Sequence, residues 1–237
     1  MTNRKPHSRL RVAGRSIAAL VAGVVFAVNA AAPAHAKESD HAAALAAAEV
    51  ALRSSAEKTG LKVKWDLLST LTTEELKAIP DAVPTSVSVE VTSEKAVEKP
   101  VDVDRVSAAS AATCKTNGAT IYYWGGFTDV KLWRFTETVY YCYDYGKRTV
   151  TSIATPETTG YVYGPGQVEG WKYRGVRGVP NNIAHRDSFG ISYYTSYVQA
   201  SFELCTLRLS CIAESNPWIR LYSYRDGSVR ADKGGIV

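Results

Sequence analysis

The sequence predicts a mainly β protein: an antiparallel β-sandwich or small barrel over residues 113–237, preceded by a short helical, partly disordered N-terminal region. Three observations carry that prediction. All 14 tyrosines, four of the five tryptophans and all four cysteines fall after residue 112. The apolar runs there alternate with a period of two. Glycine, proline and Asp-Gly turns interrupt them every few residues.

The chain opens on MTNRKPHSRLRVAGR, which carries Arg4, Lys5, Arg9, Arg11 and Arg15 and no acid. The apolar run SIAALVAGVVFAVNAAA follows, then Pro33 and Ala34-His35-Ala36, with small residues at the two positions a signal peptidase probes. Charged head, apolar middle and A-x-A end predict a signal peptide over residues 1–36 and a secreted, extracellular chain. A permanent span needs about 20 strongly apolar residues, so no stable membrane span is expected after cleavage. The head lacks an Arg-Arg pair, which favours general secretion over the twin-arginine route. Cleavage also changes the charge. The whole chain has formal net charge +5, but five of its 28 cations and none of its 23 acids lie in the leader. The remainder balances, so the basic surplus that would suggest nucleic acid is lost, and nucleic-acid binding is not expected.

Residues 37–93 predict a helical N-terminal region, read as a propeptide or stalk or simply as an unstructured N-terminus. One helix follows Asp40 as N-cap, runs through the alanine-rich HAAALAAAEVALRSSAEKT and ends before Gly60. Another is expected at 72–79, where Thr72 and Glu75 form a T-x-x-E capping box and Pro80 stops it. Leu67, Leu68, Leu71, Leu76 and Ile79 would then pack together or onto the later domain. TSVSVEVTS (85–93) alternates like a strand. Residues 94–112 contain no aromatic and read as a linker.

The disulfide-containing all-β domain is expected at 113–237. IYYW (121–124) and DVKLWRFTETVYYCYDY (129–145) have the aromatic and β-branched content of strands. In the longer run Trp133, Phe135, Val139, Tyr141 and Tyr143 share a face, which Glu137 interrupts, so a bend is expected there. Asp144-Tyr145-Gly146 turns the chain into a hairpin partner, RTVTSIA (148–154). YVY (161–163), VEGWKYRG (168–175), YVQASFELC (197–205) and PWIRLYSYRDGS (217–228) complete about seven short strands. Val198, Ala200, Phe202 and Leu204 share one face.

Cys114, Cys142, Cys205 and Cys211 are even in number in an exported chain and predict two structural disulfides. Local pairing, Cys114–Cys142 with Cys205–Cys211, is marginally preferred. Cys142–Cys205 with Cys114–Cys211 competes, because it would bridge two long strands. The spacing is not that of a zinc site, and only His41 and His185 follow the leader, so no metal is expected.

Chemistry is harder to find. His185, Asp187 and Ser188 are too close in sequence to converge as a hydrolase triad, and no G-x-S-x-G elbow or H-E-x-x-H accompanies them. They read as a solvated turn. No catalytic residue and no cofactor is assigned. Glu137, Asp144, Glu169 and Glu203 lie in or beside strands, which keeps a secreted glycoside hydrolase with a carboxylate pair as one alternative. A secreted protease inhibitor presenting Thr206–Ser210 between two cysteines is another.

Aromatics interleaved with cations are the strongest binding signal. In VEGWKYRG the rings take one face and the cations the other, as in a half-buried strand. In PWIRLYSY, however, Trp218, Arg220, Tyr222 and Tyr224 share a single face opposite Ile219 and Leu221. That face is the candidate binding surface, because exposed rings stack on sugars or bind cations and Tyr and Arg favour partner interfaces. The glycine-rich GYVYGPGQVEG (160–170) is a second candidate.

The succession VYYCYDYGKRTVTSI, EGWKYRG and SFELCTLRLSCIAESNPWIRLYSYRDGS resembles small exported actinobacterial proteins with a C-terminal disulfide-containing β domain. The resemblance covers roughly residues 114–230 and implies the same fold without implying any catalytic residue. The reading that results is an exported, non-catalytic binding protein of the cell envelope or medium, its partner a cell-wall glycan or another protein.

Overall fold

The computed structural model describes residues 32–95, 112–126, 129–206 and 210–235. The expected signal peptide falls almost entirely outside this range, and so does most of the expected linker at 94–112, whose first two residues belong to strand β2 Pro84–Lys95. The described chain is mainly antiparallel β, arranged as two sheets that face one another. Its strands are β1 Lys62–Val63, β2 Pro84–Lys95, β3 Thr113–Gly125, β4 Val130–Asp144, β5 Thr149–Ile153, β6 Glu157–Val162, β7 Trp171–Asp187, β8 Gly190–Cys205, β9 Cys211–Ser215, β10 Trp218–Tyr224 and β11 Val229–Gly234.

Each sheet is built on the same three-stranded meander. In the first, β3 and β4 form a long hairpin, and β5 then β6 run back along the free side of β4. In the second, β7 and β8 form the hairpin, and β9 then β10 run back along the free side of β8. The third strand is broken in both cases beside a proline, Pro156 between β5 and β6 and Pro217 between β9 and β10. Proline has no N–H for a ladder, so it ends regular pairing there while the chain keeps its course. Backbone bonds hold both breaks in place: Ala154 N–H donates to Tyr140 O at 2.8 Å, and Ala200 N–H to Pro217 O at 2.9 Å. Strand β2 extends the first sheet beside β3, while β1 and β11 extend the second.

The core lies between the meanders. Trp133 is fully buried and stacks on Tyr123 at 3.6 Å and on Phe202 of the opposite sheet at 4.0 Å. Val198, Ala200, Phe202 and Leu204 are all buried, as their alternation requires. Tyr173 lies where a Cβ on Gly160 would stand, 2.3 Å from its ring, so only glycine lets β7 approach β6 this closely.

Several local expectations change. No bend forms at Glu137, which keeps register with Ala119 and Thr158 and sits buried on the apolar face. The ladder instead slips between Tyr123 and Trp124 and between Cys142 and Tyr143. His185 and Asp187, expected in a solvated turn, belong to the 17-residue β7. A register shift between Arg177 and Asn181 absorbs the extra residues, with Gly178 at φ +75° where a side chain would be strained. The disulfides take the local pairing, Cys114–Cys142 and Cys205–Cys211.

The N-terminal region does not stand apart. The helices are α1 Ala32–Thr59, α2 Thr73–Ala82 and the short α3 Gly164–Val168, with a 3₁₀ turn at Trp65–Thr70. Helix α1 begins before Asp40, which is therefore no N-cap but an ion-pair partner of Lys77 at 2.8 Å. It buries Ala44, Ala48, Leu52, Ser55 and Thr59, a narrow stripe of mostly small residues spaced three or four apart. Gly60 then takes φ +71° past its end. The Thr72–Glu75 capping box is formed. Pro80 lies inside α2, which runs one further half-turn to Ala82, since the loss of one amide bond near the end is tolerated. Leu68, Leu71, Leu76 and Ile79 join the same buried cluster as Trp133 and Phe202. Trp171 Nε1 donates to Ala82 O at 2.8 Å, and Ser55 Oγ to Pro84 O at 2.7 Å, tying helices to sheets. Residues 37–93 thus contribute two strands and a layer of helix to one core, because a region without tyrosine or phenylalanine finds its apolar partners in the aromatic half.

Candidate functional site

The outward face of the second sheet follows from its register. On β8, Tyr193, Thr195 and Tyr197 alternate with the inward Tyr194, Ser196 and Val198. Tyr224, Tyr222 and Arg220 of β10 stand directly opposite Tyr193, Thr195 and Tyr197, and His185, Ile183 and Asn181 of β7 flank them on the other side. All of these outward side chains but Tyr224 line a groove of about 500 Å³, within the roughly 300–1,000 Å³ of ordinary ligand sites. A second hollow, about 720 Å³, continues past Tyr193 to Tyr224, Tyr145, Arg148 and Arg225. Tyr193 is common to both.

The rings in this groove touch one another. His185 stacks on Tyr193 at 4.2 Å with an interplanar angle of 9°. Tyr193 meets Tyr224 at 5.2 Å and Tyr222 at 6.1 Å, and Tyr197 meets Trp218 at 5.9 Å. Such contacts hold the rings in place and leave them half-buried, with a free side toward solvent. Cations overlie them: Arg220 lies 5.6 Å from the Tyr197 ring and 5.7 Å from Trp218, and Arg230 lies 5.4 Å from Tyr222. Polar groups are oriented as well. Tyr222 OH donates to Asp232 at 2.7 Å, and Thr195 Oγ1 lies 2.8 Å from His185 Nε2. That tyrosine, with the Arg230 guanidinium behind it, holds the Asp232 carboxyl below the usual range. Three of the most exposed large apolar side chains, Tyr145, Ile183 and Phe189, border the same grooves. Their clustering sets this face apart from the singly scattered apolar residues of an ordinary surface.

All four residues predicted as a binding face, Trp218, Arg220, Tyr222 and Tyr224, are on this outward surface. His185, Tyr193, Tyr197 and Arg148 belong with them and are missing from the sequence-based set. The period-two alternation of SYYTSYV was the available signal for the two tyrosines. The glycine-rich candidate at 160–170 instead folds into the end of β6 and helix α3, with Tyr161 exposed and packed edge-on to Tyr163 at 5.0 Å. No family model, curated protein or solved structure matches this chain.

The four strand acids are scattered. Glu137 is enclosed between the sheets, where Oε1 accepts a 2.5 Å bond from Ser196 Oγ, and burial pushes its carboxyl up to about 7. Asp144 is buried at a turn and accepts the Lys147 N–H at 3.0 Å. Glu203 is outward on β8 and pairs with Arg174. Glu169 lines a different, largely apolar hollow of about 440 Å³ with Glu74, Ile79 and Leu204, where burial and the nearby Asp81 raise its carboxyl. No two of these four acids share a cleft; the hollow that holds Glu169 is lined also by Glu74 and Glu75. His185 and Asp187 also part company: Asp187 Oδ2 pairs with Arg225 at 2.6 Å while His185 faces Thr195. Glu203, Cys205 and Cys211 come together, yet both sulfurs are in a disulfide under Arg174, a donor set without a thiolate for a metal. The inhibitor loop Thr206–Ser210 has residues 207–209 outside the described range. Among the described residues no helix is long and apolar enough to cross a membrane.

Proposed function

We propose that this is an exported, non-catalytic binding protein of the cell envelope or medium, one of the small exported actinobacterial proteins it resembles, and that its ligand is a glycan. The leader sequence and the two disulfides support export to an oxidising space. One observation carries the binding role: the rings of Tyr193, Tyr197 and Tyr222 line an outward groove with hydroxyl, imidazole and guanidinium groups between them, Tyr224 lines the adjoining hollow, and Trp218 packs beside Tyr197 on the same face. A sugar ring presents an apolar C–H face and a polar rim of hydroxyls, and this surface offers both complements. The rings are held by mutual contacts, so little rotamer freedom remains to be lost on binding.

Retention of the mature protein on purified wall polysaccharides tests this. Trp218→Ala and Tyr222→Ala are expected to lower retention at least tenfold while the circular dichroism spectrum is unchanged. Undiminished retention in both variants would reject the groove as the binding surface. Absence of retention by the wild type on every polysaccharide fraction would reject glycan binding itself.

A further inference from the structure

Resting on the glycan reading, we infer that the groove selects an acidic polysaccharide, one whose sugar rings carry carboxylates. Arg220 makes no ion pair among the described residues; its guanidinium lies over Tyr197 and Trp218. No carboxylate lines the groove around it. Asp232, which stands opposite Arg220 across the ladder and feels its charge, is bonded instead by Tyr222 and Arg230. Arg148 repeats the pattern at the far end of the continuous surface. It lies 4.6 Å from the Phe189 ring, makes no ion pair among the described residues, and is exposed at φ +53°, a left-handed conformation costly for any residue with a Cβ. Asp226, in the same hollow, gives its Oδ1 to Ser228, whose N–H and Oγ donate at 2.8 and 2.6 Å. The Arg225 charge is matched by Asp187.

Two guanidinium forks thus flank a row of rings, and among the described residues neither makes an ion pair, the neighbouring Asp232 and Asp187 being bonded to other groups. A guanidinium binds a carboxylate through two parallel hydrogen bonds, and one stacked on aromatic rings is already oriented for it. A uronic acid residue supplies both needs at once, an apolar ring face for tyrosine or tryptophan and a carboxylate at its edge. A phosphodiester-linked polyol has the charge without the stacking face, and a neutral glucan has the face without the charge.

The probes are polygalacturonate, the same polymer after carboxyl reduction, a poly(glycerol phosphate) and a single-stranded oligonucleotide, each titrated against the mature protein. Polygalacturonate is expected to bind at least tenfold more tightly than its reduced form, and the preference is expected to shrink as salt is raised. Arg220→Gln removes most of that preference and Arg148→Gln part of it, each read as the ratio of the variant's affinities for the two polymers. Arg220→Lys, which keeps the charge but not the fork, falls between. Equal binding of both polymers, still lost in Trp218→Ala, would overturn the acidic preference and leave the glycan reading intact. Tighter binding of the phosphodiester polymer or of the oligonucleotide would overturn it by assigning the groove to another ligand. Binding to none of the polysaccharides would bring down both readings.

Discussion

The two meanders follow one plan and present different outer faces. On the first sheet the middle of the outward surface is threonine: Thr120 and Thr136 hydroxyls meet at 3.0 Å, and Thr138 and Thr159 continue the small side chains. Two of its outward rings have their polar ends taken, Tyr122 OH by Glu90 at 3.2 Å and Trp124 Nε1 by Ser88 at 2.8 Å. On the second sheet the same middle positions hold Tyr193, Tyr197 and Tyr222, and the surface is grooved. Inside, the contrast reverses. The first sheet buries an acid, Glu137, and the second answers with the Ser196 hydroxyl. Strand order and hydrogen bonding build both halves, so what the protein can bind is decided by which side chains occupy the outward register.

The largest effect expected from breaking the comparison is in the shared core. Trp133→Ala removes the ring that both meanders grip and should cost about 3–5 kcal/mol in chemical denaturation. Trp218→Ala, the same change on the outer face of the second sheet, should cost distinctly less. Equal losses would mean that Trp218 is a structural residue.

Next comes Glu137→Gln. Burial raises this carboxyl from 4.5 to about 7, against a smaller opposing pull from the Ser196 bond. The unfolded chain releases the proton near pH 4.5 and the fold keeps it until about pH 7, so stability falls as pH rises between those values. The fall should be about 3 kcal/mol, at roughly 1.4 kcal/mol per pKa unit. The glutamine variant should show a flat profile over this window and greater stability above pH 7. A steep profile that survives the substitution would place the titrating group elsewhere.

The disulfides give a smaller contrast. Cys114–Cys142 joins the first and second strands of one meander across a sequence separation of 28, whereas Cys205–Cys211 joins the second and third strands of the other across 6. Each should contribute about 2–4 kcal/mol, and on the loop-entropy account the longer should exceed the shorter by about 1 kcal/mol. Paired Cys→Ala variants compared by thermal denaturation test the order. The smallest expected effect is on binding: Tyr161→Ala, an exposed ring of the first sheet, should change glycan affinity less than twofold. A tenfold loss there would show that the ligand uses the wrong face for this account.

Much of the fold was legible where one face of a strand is buried. The alternation at 133–143 and 198–204 identified the core side of each meander, and the split of Trp218, Arg220 and Tyr222 from Ile219 and Leu221 identified an outward strip. The capping box at Thr72 was equally plain, since its two hydrogen bonds are local. Glu137 misled because a carboxylate on an apolar face suggests a bend, whereas the partner that makes its burial tolerable comes from Ser196, 59 residues later. The stretch around His185 and Asp187 misled because its polar residues read as a solvated turn, and the bulge at Gly178 that lets β7 continue leaves little trace in sequence. The docking of α1 and α2 was invisible for a similar reason: alanines on a helix become a packing stripe only when a sheet lies against them. The shared meander plan also left no signal, because the two halves keep strand lengths and break points while their outward residues differ.

The central claim is that ligand recognition belongs to the outer face of the second sheet. An NMR titration of the isotopically labelled mature protein with a short galacturonate oligomer tests it most directly. The account predicts progressive shifts confined to β7, β8 and β10, strongest at the ring signals of Tyr193, Tyr197, Trp218 and Tyr222. Shifts centred on Tyr122, Trp124 and Tyr161, or on the hollow beside Ile79 and Glu169, would contradict it.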